Sequence, residues 1–156
     1  MKQTIYTLIM PVVKLYWRIF KPQSYGVKVV IVHPHDQNKV LLVRHSYGNT
    51  TLWNIPGGGF NPKKETAYSA ILREVQEELG IDVFNLRELE EYHTGGEGKK
   101  DTVTLFSGII KNPENIKINP EISALAWVEM SILRDRGDDV ARVARRAVEK
   151  ILTSNV

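Results

Sequence analysis

Not one of the 156 residues is a cysteine. That excludes disulfides, thiolate metal sites and a thiol nucleophile, and it fits a reducing compartment. Nor is there an apolar run long enough to cross a bilayer. The uncharged stretch from Gln3 to Val13 falls short of the roughly 20 residues a spanning helix needs, and Pro11, Lys14 and Arg18 break up the apolar N-terminus. A cleaved signal carries its charges ahead of the apolar run. Here Lys14, Arg18 and Lys21 follow it, so the stretch is expected to be retained and non-spanning. Repeats, low-complexity tracts and linkers are also missing. The net charge is only +3, with basic residues spread along the chain. This suits an anionic substrate and implies no specific nucleic-acid partner. What is left is an ordinary globular composition, long enough for one domain with a full core.

Ile5, Leu8, Val12, Leu15, Tyr16, Ile19 and Phe20 recur at helical spacing, with Lys14 and Arg18 off the stripe. This predicts an N-terminal amphipathic helix or arm over residues 1–24. It would pack on the domain, lie on a membrane surface, or join a second copy through residues 5–20. From Tyr25 the pattern turns to strands. Val27–Val32 is β-branched, His33–Asn38 reads as a turn, and Lys39–Arg44 as the returning arm of a hairpin. Leu52–Ile55 then leads to Pro56-Gly57-Gly58-Gly59. Glycines after a proline are not expected to form a regular element, and they let main chain approach a ligand closely. A helix is predicted from about Lys64 to Leu79, ended by Gly80 in a left-handed conformation. Strands are expected at Leu86–His93, Thr102–Ile110 and Ile122–Met130. An amphipathic helix beginning at Asp139 closes a single domain over residues 25–156, with Val140, Val143, Ala144, Ala147, Val148 and Ile151 as its stripe.

At ~100° per residue, Tyr68, Ile71, Leu72, Val75 and Leu79 gather on one face of the central helix. Glu74, Glu77 and Glu78 gather on another, which Ala67 and Ala70 continue as open space for a substrate. Carboxylates at i, i+3 and i+4 repel one another, and a cation relieves the repulsion. Hard cations prefer carboxylate and carbonyl oxygens and bridge to phosphates. Three such glutamates beside a glycine-rich loop therefore point to metal-assisted hydrolysis of a phosphoanhydride. The acidic cluster alone leaves open a merely solvated helix face. Arg44, at a strand end, is a candidate for a substrate phosphate or for simple solvation. Trp53 suits packing beside the loop more than base stacking, and Trp127 suits the core. His45, Tyr47, His93 and Lys99 are ordinary loop or surface types that a pocket could also use.

The string from Gly59 to Ile81 resembles the Nudix box, Gly-x5-Glu-x7-Arg-Glu-U-x-Glu-Glu-x-Gly-U, where U is bulky and aliphatic. Gly59, Glu65, Arg73, Glu74, Val75, Glu77, Glu78, Gly80 and Ile81 meet every fixed position. The aliphatic strand ending at Arg44, the Trp53-x-Ile55-Pro56-Gly57-Gly58 lead-in and the Glu121–Glu129 strand with Trp127 are similar to the same family, so the likeness runs from Gly26 to Leu133. It implies an α+β Nudix fold, a mixed sheet sandwiched between helices. It also implies that Glu74, Glu77 and Glu78 bind Mg²⁺, or Mn²⁺ in its place, with the Gly58 carbonyl as a further ligand. Glu65 and Arg73 would pair to brace loop against helix, with Arg73 counted among the catalytic residues. Arg44, Gly57, Gly58 and Gly59 would hold the substrate. Glu77 is the first choice of general base, and Glu121 or Glu97 the second.

The implied substrate is a small phosphoanhydride in the cytoplasm, either a nucleoside di- or triphosphate or another nucleoside diphosphate derivative. Beyond the box, the marks of ADP-ribose and dinucleoside polyphosphate hydrolases are not found. Ahead of it there is no coenzyme A signature. Two other readings stand beside this one. A membrane-peripheral enzyme would use Ile5–Phe20 as anchor and act on a nucleotide-sugar or lipid-linked diphosphate. A noncatalytic nucleotide-binding regulator would be free to lose the metal ligands that this chain keeps.

Overall fold

A computed structural model of the chain describes residues 9–13, 15–16, 23–94, 100–135 and 139–154. Among the described residues from Gln23 onward, seven strands and three α-helices follow in the order β1 (Gln23–His33), β2 (Asp36–His45), β3 (Trp53–Asn54), β4 (Gly59–Phe60), α1 (Ala67–Leu79), β5 (Phe84–Thr94), β6 (Lys100–Ile109), β7 (Ile122–Glu129), α2 (Met130–Asp135) and α3 (Arg142–Ser154). The strands join in one mixed sheet. β1 pairs in parallel with β6 from Gln23–Lys100 to Val32–Ile109, β5 runs antiparallel to β6, and β7 antiparallel to β2. The long ladder with β6 carries β1 past both ends of the β-branched run. The predicted hairpin forms, but its turn shrinks to Pro34–His35 because His33 and Asp36 still pair.

Val27, Val29, Val30 and Ile31 are all fully buried. A strand this uniformly apolar is covered on both faces, and two cores lie one on each side of the sheet. Val27, Val29, Ile31, Leu41 and Val43 pack with Ile71, Val75 and Leu79 of α1. On the other side Val30, Val40, Leu42 and Leu105 pack with Leu133 of α2 and with Ala144, Ala147, Val148 and Ile151 of α3. The result is the expected sheet between helical layers.

Several expectations need correcting. The central helix begins at Ala67, not Lys64. Asn61 holds the Lys64 and Glu65 amides in a turn (2.9 and 3.1 Å), and Thr66 and Ser69 form a reciprocal capping box, each side chain accepting the other's N–H at 3.1 Å. Tyr68 is 54% exposed, its ring meeting Phe106 edge-on, while Ala70 is fully buried. The buried arc is therefore rotated toward the carboxylates, and Ala70 opens no space for a substrate. Gly59 does enter regular structure, since β4 pairs with β1 through Gly26–Gly59 and Tyr25–Phe60. The last helix starts at Arg142 instead of Asp139. The Asp139 carbonyl and the Ala141 amide are both spent on the backbone of Trp53 (2.8 Å each). Trp127 is only partly buried, its ring 4.6 Å from that of His33.

Of the N-terminal segment, residues 9–13 and 15–16 are helical. There Ile9, Val12, Leu15 and Tyr16 are all more than half exposed. Ile5, Leu8, Ile19 and Phe20 lie outside the described residues. Among the described residues no helix is long and apolar enough to cross a membrane.

Candidate active site

The site forms at a seam in the sheet. β1 pairs with β2 at Val32–Val40 and His33–Asp36. Closer to its N-terminus the β1 amides turn to the glycine-rich loop instead, Val29 to the Pro56 carbonyl (3.0 Å) and Val27 to the Gly58 carbonyl (2.9 Å). Gly57 adopts φ +125°, and a Cβ there would overlap the Val27 carbonyl. No L side chain fits that position. A Cβ on Gly58 would overlap the Glu74 carboxylate, so the main chain at Gly58 lies directly against that side chain.

The last two turns of α1 lie beneath this loop. Gly80 ends the helix at φ +63°, its N–H donating to Gln76. The amides of Lys117 and Asn119 cap the carbonyls of Leu79 and Glu78 (2.8 and 3.1 Å). Glutamates crowded at this negative end of the helix are electrostatically unfavourable, and the structure relieves them from two sides. Glu78, only 5% exposed, accepts the Gly57 N–H at 2.9 Å. Burial pushes its carboxyl up to about 7, with Glu74 and Glu121 adding to the rise, while Lys28 and the Gly57 N–H oppose it.

Arg73 gathers the rest. Its guanidinium forks onto Glu65 (2.8 and 3.2 Å), and its Nη1 donates to Glu74 (2.9 Å) and Glu77 (3.1 Å). The Gly59 carbonyl accepts from Nη2 at 3.5 Å. A bidentate fork of this kind is geometrically specific. It holds Glu65 below the usual carboxylate range and raises Arg73 further. With Arg73 on Glu74 and Glu77, and Gly57 on Glu78, no three acidic or histidine side chains among the described residues converge as a ready metal cage. The donor chemistry of carboxylates and loop carbonyls suits a hard divalent cation. Arg73 takes only one oxygen of Glu74 and one of Glu77, which leaves the second oxygen of each off the guanidinium.

The other candidates fall in different places. Arg44 shares the strand parity of Val40 and Leu42, toward the α3 side, and its guanidinium lies 4.2 Å over the Trp53 ring. Its Nε and the Nδ1 of the next residue, His45, are buried without a hydrogen-bond partner. His45 is held low, chiefly by burial and then by Lys28, with Glu121 opposing. Glu121 is thus close enough to act on both His45 and Glu78. His93 pairs through Nδ1 with Thr102 (3.0 Å). Glu97 and Lys99 lie outside the described residues. Lys28 went unremarked in the sequence, yet its ammonium donates to the carbonyls of Ile55 (3.2 Å) and Gly57 (2.5 Å) at the centre of the site. The available signal was one charge inside an unbroken β-branched run.

Known proteins are similar to this chain. The NUDIX domain family matches residues 23–149. The NAD-capped RNA hydrolase NudC of Vibrio atlanticus (strain LGP32) is 28% identical over 123 residues, which is 77% of this chain and 43% of that protein. The chain thus spans less than half the length of that relative. Among solved structures, the MutT protein from Methanosarcina mazei Go1 superposes with a TM-score of 0.72 at 24% identity, covering 86% of this chain and 96% of that one. The NUDIX domain of Shewanella oneidensis NrtR, solved with ADP ribose, gives 0.72 at 19% identity over 88% and 92%. These likenesses establish the fold, and the family match reaches across nearly all of the described domain. The chain belongs to the NUDIX domain family.

Proposed function

We propose that this protein is a Mg²⁺- or Mn²⁺-dependent hydrolase that cleaves a phosphoanhydride bond in a nucleoside di- or triphosphate or another nucleoside diphosphate derivative. The observation that carries this reading is the buried carboxylate of Glu78, set near Glu74 and a glycine-rich loop that admits no side chain at Gly57. A buried carboxylate is costly even with the Gly57 N–H and Lys28 beside it, and a divalent cation would offset that cost. Glu74, Glu77 and Glu78 would hold the ion with the Gly58 carbonyl. When bound, it supplies charge neutralisation on the diphosphate and a water of lowered pKa.

The chain's own groups do the remaining work. Gly57 and Gly58 bring main chain to the phosphates. Arg73 and Glu65 fix the loop to the helix, and Arg73 steadies Glu74 and Glu77 until the ion arrives. Glu77, the most exposed of the three at 56%, is the general base in this reading, and Glu121, within electrostatic reach of Glu78, is the second choice. The NAD-capped RNA in the name of the NudC relative, itself a nucleoside diphosphate derivative, supports keeping that class of substrate beside the nucleoside di- and triphosphates.

Glu78→Gln keeps the shape and removes the charge. With Mn²⁺ and a panel of nucleoside diphosphate derivatives, its kcat/KM should drop by roughly 100-fold or more, the scale of damage seen when a metal centre is disturbed. Unchanged turnover in this variant would refute the mechanism.

A further inference from the structure

Lys28 occupies an improbable place for a lysine. It sits mid-way along the central strand, paired with Leu105 of β6 and flanked by the fully buried Val27 and Val29. An ammonium there loses hydration and must recover it from protein groups. It does so by completing the hydrogen bonding of the glycine-rich loop. Four successive carbonyls, Ile55 to Gly58, accept alternately from Lys28 and from the β1 backbone. Ile55 and Gly57 go to the ammonium, Pro56 to the Val29 amide and Gly58 to the Val27 amide. Where β2 has parted from β1, one side chain supplies the donors that a neighbouring strand would otherwise provide.

The same contacts reach the carboxylates. Gly57 is gripped at both ends, its C=O by Lys28 and its N–H by Glu78. The peptide unit is planar and trans, so the bond from Lys28 to the Gly57 carbonyl also sets the direction of the Gly58 N–H. Gly58 in turn lies against Glu74. Electrostatics agrees with the geometry: Lys28 is the foremost influence lowering Glu78, and Glu78 and Glu74 are the charges that support the ammonium against its burial.

We propose that Lys28 is a positioning residue of the hydrolytic site, clamping the glycine-rich loop in register over Glu74 and Glu78 and serving as their built-in counter-charge while no metal is bound. This rests on the metal-dependent reading above. It follows that Lys28 opposes the incoming cation as well as preparing its site. The resting enzyme holds metal less tightly than its carboxylates alone would, and the phosphates of the substrate complete the binding.

The test is Mn²⁺ titration of the full chain without substrate, by calorimetry, in wild type, Lys28→Met and Lys28→Arg. Removing a like charge at this range should tighten Mn²⁺ binding in Lys28→Met roughly three- to tenfold. The freed loop should lower kcat at saturating Mn²⁺ by about 100-fold, as small misplacements of reacting groups do. Lys28→Arg should return Mn²⁺ affinity to the wild-type value. A lysine with a merely structural role would give weaker Mn²⁺ binding together with slower turnover, so equal or weaker binding in Lys28→Met overturns the proposal. If Lys28→Met fails to fold, Lys28→Gln makes the same comparison. Should wild type bind no Mn²⁺ and Glu78→Gln remain active, the metal-dependent reading itself fails. Equal Mn²⁺ affinities alongside an inactive Glu78→Gln would remove only the role of Lys28.

Discussion

Glu78 concentrates the tension in this molecule at the scale of one side chain. It lies on the buried arc of α1 with Ile71 and Val75, a carboxylate among apolar side chains. Its carboxyl is raised from an ordinary 4.5 to about 7, mainly by burial. A raised carboxyl pKa means that the folded chain binds the proton more tightly than the unfolded chain. The stability this contributes is complete below about pH 4.5 and is lost as the pH climbs through about 7. At 1.36 kcal/mol per unit the full loss is about 3 kcal/mol. Urea unfolding in the presence of a chelator should therefore show wild type losing up to about that much more stability than Glu78→Gln between pH 5 and pH 8. Parallel pH profiles for the two proteins would show that Glu78 titrates normally. Lys28 belongs to the same environment but was invisible in the chain. A lysine in a strand reads as the polar member of an alternation, and its half-buried place against the glycine-rich loop follows from where β1 parts from β2.

Elements fare differently, because their signals are local. The box could be read because each fixed residue has a task set by its immediate neighbours. Gly80 takes the left-handed turn, Arg73 reaches back to Glu65 on the approach to its own helix, and Glu74, Glu77 and Glu78 share a face. The start of α1 was misplaced because Lys64 and Glu65 are good helix formers, and their preference hid the Thr66–Ser69 capping box. Tyr68 and Ala70 were exchanged because the roll of a helix depends on what it packs against, here Val29, Val43 and Phe106. The cap has consequences for the site, since it fixes where the loop ends and the helix begins. Thr66→Ala should destabilise the protein by about 1 kcal/mol, and the frayed first turn should loosen the Glu65–Arg73 fork. Chemical denaturation would read the first effect, and a modest rise in the Mn²⁺ concentration needed for half-maximal activity would read the second.

For the whole molecule, the two cores divide the labour. α1 carries Arg73, Glu74, Glu77 and Glu78 of the box, whereas α2 and α3 close the opposite face and contribute no carboxylate to the site. The sheet between them is continuous through the long β1–β6 ladder, and the seam opens where the loop inserts. Damage should therefore propagate unequally. Ile71 of α1 and Leu133 of α2 are both fully buried, and truncating either to Ala should cost about 2–5 kcal/mol. At a temperature where both variants stay folded, Leu133→Ala should bind Mn²⁺ as wild type does. Ile71→Ala, lying one turn before Glu74 and Val75, should let α1 settle toward the sheet and weaken Mn²⁺ binding several-fold by roughly the misplacement of its glutamates. Paired urea titrations and Mn²⁺ calorimetry decide the matter. Equal Mn²⁺ affinities at equal stability loss would mean that the site is held by the loop and Lys28 alone, and that the α1 core contributes stability but no geometry.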